Sequence, residues 1–125
     1  MQIEGLYDFI IGNEFESFEA KKSTIELMME LPKPYVSNVF HIIPFPKTDI
    51  VRWYKEHNIT PKLNPYYDTY LDLRTDPFCM LAMLVPITDN LVVRKILDSM
   101  DSEETQRQIR EMYDQSIGDS KLKLN

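Results

Sequence analysis

Catalysis and metal binding demand particular side chains at particular spacings, and this chain offers few candidates. His57 falls on one helical stripe with Trp53 and Tyr54. As a general base it would need an orienting acid, but neighbouring Glu56 points about 100° away on a helix. Packing together with a favourable charge at a helix C-terminus accounts for His57 more simply. His41 alternates with apolar neighbours and reads as half-buried structure. Asp68 and Asp72, four apart, would share a helix face. Paired acids can bind a metal or move protons, although solvated surface is the commoner use of such a pair. The single cysteine, Cys79, sits between Phe78 and Met80 with no cation to activate it, and reads as a small buried hydrophobe.

No pair of Cys or His residues has zinc spacing, and none of the metalloprotease, nucleophile-elbow, Walker or dinucleotide-binding patterns occurs. Three glycines leave little material for a phosphate-cradling loop. The expectation is a protein that is not an enzyme and carries neither cofactor nor metal.

The charge pattern sets one region apart. The chain has a net charge of −6, which opposes a general grip on nucleic-acid phosphates. Residues 32–75 nevertheless hold six bases against four acids, eight of the 14 aromatic residues, six of the eight prolines and both histidines. Trp53, Tyr54, Tyr66, Tyr67 and Tyr70, flanked by Arg52 and Arg74, are the candidate contact set. Tyr and Trp are enriched at interface centres because they bring large area at low entropic cost. The same rings could fill the domain's own core.

The leading functional expectation is a non-catalytic protein–protein interaction module: an adaptor, an assembly factor or a regulator of a larger complex, with a composition that also fits a viral source. The alternatives are a nucleic-acid-associated protein using the basic, aromatic segment 32–75, or an acidic inhibitor that mimics nucleic acid through Glu103, Glu104 and Glu111. Arg107 and Arg110 lie close enough along a helix to dilute that last field.

The elements that must position these residues are read from apolar periodicity and from helix-capping signals. Ile3, Leu6, Tyr7 and Ile10 follow helical spacing, with Gly12 as a stop. Asn13/Glu16 and Ser23/Glu26 have capping-box spacing, predicting a helix over 14–31 that breaks, if anywhere, near Ser23 and is ended by Pro32 and Pro34. Residues 34–43 are two-sided: Val36, Val39, Phe40 and Ile43 fit a helix, the favoured assignment, whereas their β-branched and aromatic content suits a strand. Further helix starts are predicted at Thr48-Asp49, Asn64-Pro65, Thr75-Asp76-Pro77, Thr88-Asp89 and Ser102, with the last helix over 103–117 closed by Gly118. Asn58 is suited to a left-handed closing turn.

These signals predict an all-α fold: a compact bundle of about six to eight short helices, with at most a minor β element near residues 36–43. Residues 1–118 are expected to form a single helical domain and 119–125 a flexible C-terminal tail. A chain of this size buries enough surface to fold without a disulfide or metal. The longest apolar run, Pro77 to Ile87, falls short of the about 20 residues a bilayer requires. With no secretory signal, the expected location is cytoplasmic, and the expected partner is another protein, with nucleic acid as the lesser possibility and no membrane.

Overall fold

A computed structural model describes residues 5–33, 35–61, 63 and 72–118. The helix start at Asn64-Pro65, Lys62, Asp68, the three tyrosines Tyr66, Tyr67 and Tyr70, and the tail 119–125 lie outside the described residues.

The expectation of an all-α bundle is corrected by the first forty residues. The described chain runs β1 (Gly5–Ile10), α1 (Phe18–Glu30), β2 (Tyr35–Phe40), α2 (Asp49–Glu56), α3 (Pro77–Leu84), α4 (Asn90–Leu97) and α5 (Glu103–Tyr113). One-turn 3-10 segments at Leu73–Thr75 and Val85–Ile87 flank α3, and a π turn, Asp114–Gly118, follows α5. β1 and β2 pair in parallel as a two-stranded sheet, so the fold is a small mixed α/β one with five α-helices among the described residues. Parallel pairing needs a long crossover, which α1 supplies.

The spacing of Leu6, Tyr7 and Ile10 is compatible with a helix, yet Leu6, Tyr7, Phe9 and Ile10 are apolar at both odd and even positions. A strand in a parallel sheet reads this way because it packs on both faces. In β2 the β-branched and aromatic content outweighs the helical spacing once β1 is available to pair with.

Helix boundaries in the second half follow the capping chemistry. Asp76 Oδ1 accepts from the Phe78 amide at 2.8 Å with Pro77 in the first turn, Asp89 accepts from Leu91 N at 2.8 Å, and Ser102 accepts from Thr105 N at 3.4 Å. Each satisfies an N–H that a first turn leaves without a partner. α1 differs from its expectation. Its cap is Ser17, accepting from Ala20 N at 3.1 Å, and the helix is unbroken at Ser23. Asn13 spends its side-chain Oδ1 on the distant Ile42 amide at 2.8 Å, while its backbone carbonyl accepts from Glu16 N at 3.0 Å, so 13–16 is a turn and not a helix start. Asn58 has the anticipated positive φ of 55° and closes α2.

The core lies around α3, whose residues from Phe78 to Ala82, with Leu84, are buried. Ile25 and Met28 of α1, Val93, Ile96 and Leu97 of α4, and Ile109 and Tyr113 of α5 surround it. The sheet's inner face joins through Tyr35 and Ser37, whose hydroxyl donates to Ala82 O at 3.3 Å. No helix among the described residues is long and apolar enough to cross a membrane.

Candidate functional site

In open parallel sheets, ligand sites gather where the strands end at their carboxyl termini. Here that end carries a buried polar cluster. β1 runs out through Ile11 and Gly12 to Asn13 and Glu14, and β2 runs into His41. The Glu14 side chain, 9% exposed, is shared between two partners. Tyr54 donates its hydroxyl to Oε2 at 2.8 Å, and His41 Nε2 lies 3.3 Å from Oε1. That geometry assigns a ring proton to Nε2, so Nε2 donates to the carboxylate. His41 Nδ1 is buried and has no hydrogen-bond partner among the described residues. Burial, reinforced by the Glu14 carboxylate, raises the Tyr54 pKa well above the ordinary tyrosine value and keeps its phenol protonated.

Acid, imidazole and phenol are a chemically capable set, but their access is closed. The His41 side chain is 1% exposed and Tyr54 is 2% exposed. They bolt together three pieces of chain: the turn after β1, the end of β2, and α2. Asn13 adds a second bolt from the same turn, holding the Ile42 amide on one side and Glu16 on the other.

The sequence-derived contact residues are distributed unevenly. Trp53 and Tyr54 sit together on α2 beside Phe15, whose ring is 6.3 Å from Trp53 and 6.4 Å from Tyr54. Tyr54 faces inward. Trp53 is half-buried and stacks on exposed His57 with ring centroids 4.0 Å apart and planes 23° apart. Arg52 is exposed on the same helix and pairs with Asp49. Arg74, before α3, pairs with Asp114 at 2.8 Å, so both guanidinium charges are compensated locally. Among the described residues there is no His/Cys/Asp/Glu grouping suited to a metal ion. Cys79 is buried, its thiol pointing at Ile11 O at 3.5 Å. A shallow cavity of about 390 Å³ opens between α1 and the start of α3, lined by Phe18, Lys21, Asp76 and Phe78, with the Lys21–Asp76 ion pair at 3.6 Å across it.

The surface that sequence reasoning missed is the outer face of the sheet. Register pairs Leu6 with Val36, Asp8 with Asn38 and Ile10 with Phe40, all directed away from α3. Leu6 is 68% exposed, Ile10 58%, Val36 43% and Phe40 51%. At the centre, Asn38 Nδ2 donates to Asp8 Oδ1 at 3.1 Å. Monomeric proteins seldom leave contiguous apolar surface open, and parallel sheets are ordinarily covered on both faces. The available signal was the apolar residues on both parities of 6–10, which imply two packing faces where only one is filled.

Comparison with protein-family models, curated proteins and solved structures finds no match for this chain. The geometry alone therefore carries the functional argument.

Proposed function

We propose that this protein is a non-catalytic interaction module that docks another protein on the outer face of its β1–β2 sheet. One observation carries the reading. Four large apolar side chains, Leu6, Ile10, Val36 and Phe40, stand open on a parallel sheet whose other face packs on the core through Phe9, Val39, Tyr35 and Ser37. Covering them removes apolar area from water at about 25 cal/mol per Å². Glu14, His41 and Tyr54 support the reading by holding the strand ends rigid, which lowers the ordering cost of association. Trp53, with Arg52 beside it, offers a second, smaller contact surface on α2.

The test is affinity capture from the native host with tagged full-length protein. Leu6→Lys combined with Phe40→Asp is expected to abolish recovery of the specific partner while leaving the circular dichroism spectrum unchanged. Trp53→Ala is expected to weaken recovery less. Undiminished capture by the Leu6/Phe40 double variant rejects the sheet face as the docking surface.

A further inference from the structure

The open sheet face has dimensions as well as chemistry. Adjacent strands lie roughly 5 Å apart, and six residues extend for about 20 Å. One α-helix is about 10 Å across, and about 13 residues of it span 20 Å. A single helix laid along the strands therefore covers both apolar rows, Leu6 with Ile10 and Val36 with Phe40. Helices are the usual cover of parallel sheets, and α3 already occupies the inner side.

Charge narrows the occupant further. Asp8 is the only charged side chain in either strand and stands midway along the outer face, between Leu6 and Ile10. Asn38 satisfies one of its oxygens with a neutral donor. Burying that carboxylate beneath an uncharged apolar surface would carry a heavy desolvation cost unless a cation meets it. The chain's net charge of −6 also favours a basic partner. A second copy is disfavoured on the same grounds, since it would bring another −6 and place two Asp8 carboxylates in one interface.

We infer that the outer sheet face receives one amphipathic helix from a partner protein, about 13 residues long, with a Lys or Arg in the middle of its apolar stripe opposite Asp8. This rests on the interaction reading above and specifies its partner.

The test uses ¹⁵N-labelled full-length protein titrated with two synthetic peptides of about 16 residues, a length at which a good helix former holds together. Both carry leucine at helical spacing. One has Lys at the centre of the stripe and its twin has Glu there. The Lys peptide is expected to give saturable shifts centred on Leu6, Asp8, Ile10, Val36 and Phe40, with the Glu twin binding at least about tenfold more weakly. Asp8→Lys should reverse that preference and Asp8→Asn should erase it.

Equal binding of the twins, shifts centred on α2, or no saturable shift overturns the inference. So does sedimentation of the free protein as a dimer through this face, which would make a second copy the occupant. If the peptides fail while the Leu6/Phe40 variant still loses its native partner, the helical occupant is wrong and the docking face stands. If that variant also captures normally, both fall.

Discussion

The two halves of this molecule solve the packing problem differently. From Asp76 onward, each helix begins at a side chain that caps it within two or three residues, and the helices close around one another: α3 is buried nearly all round. Before Phe40, α1 has its local cap at Ser17, but the strands and the turn after β1 depend on partners far along the chain. β1 gains its register from β2 some thirty residues on, Glu14 meets His41 across 27 residues and Tyr54 across 40. The helical half closes its core around α3 and leaves Ile87, Leu91 and Val92 exposed at its rim. The sheet half turns four large apolar side chains outward on one face, and the difference teaches where association belongs: on the strands, where Leu6 is 68%, Ile10 58%, Val36 43% and Phe40 51% exposed in register with one another.

If that contrast is right, the largest effect on stability belongs to the closed half. Leu81, fully buried at the centre of α3, should cost about 2–5 kcal/mol when replaced by Ala, through lost transfer energy and the cavity left behind. Urea unfolding measures it. A loss below about 1 kcal/mol would mean that α3 is not the centre around which the fold closes.

Next in size comes the seam between the halves. Gly12 has φ of +82°, and a Cβ there would stand 2.6 Å from Cys79 Sγ and 2.7 Å from Asp76 Oδ2. Its bareness lets the end of β1 lie against the capped start of α3. Gly12→Ala should therefore cost about 1–3 kcal/mol from backbone strain alone, with the overlap adding to it. In a double-mutant cycle, Cys79→Ala should recover part of the loss by removing the sulfur, while Asp76 keeps its cap. Strict additivity of the two substitutions would show that the seam is looser than the distances imply.

How much was legible follows the same divide. The caps at Asp76, Asp89 and Ser102 and the left-handed Asn58 were readable because the physics is local: a side-chain oxygen and an amide two or three residues away, or one residue's tolerance of positive φ. The strands were misread as helix because spacing within a short segment cannot reveal a partner strand beyond a thirteen-residue helix. Asn13 and Glu16 have capping-box spacing, and Glu16 does return to the Asn13 amide at 2.9 Å. The other half of the box was diverted to Ile42, a competition no local pattern displays. Of the proposed contact set, Tyr54 could not be told from Trp53 in advance. Their rings are sequence neighbours, and the one that turns inward finds its hydroxyl partner on Glu14, 40 residues away.

The smallest stability effect is expected where the functional effect is largest. Phe40 is 51% exposed and faces outward, so Phe40→Asp opens no cavity and gives up only the half of the ring that its neighbours cover. Its cost should stay at about 1 kcal/mol, from the covered half of the ring and the poor fit of Asp in a strand. A half-open face would tolerate this change, whereas a face covered by the protein's own chain would not. A loss of about 2 kcal/mol or more in urea unfolding would place Phe40 in the protein's own core and remove the asymmetry on which the docking assignment rests. A small loss of stability accompanied by loss of the partner would instead make the open sheet face the working surface of the molecule.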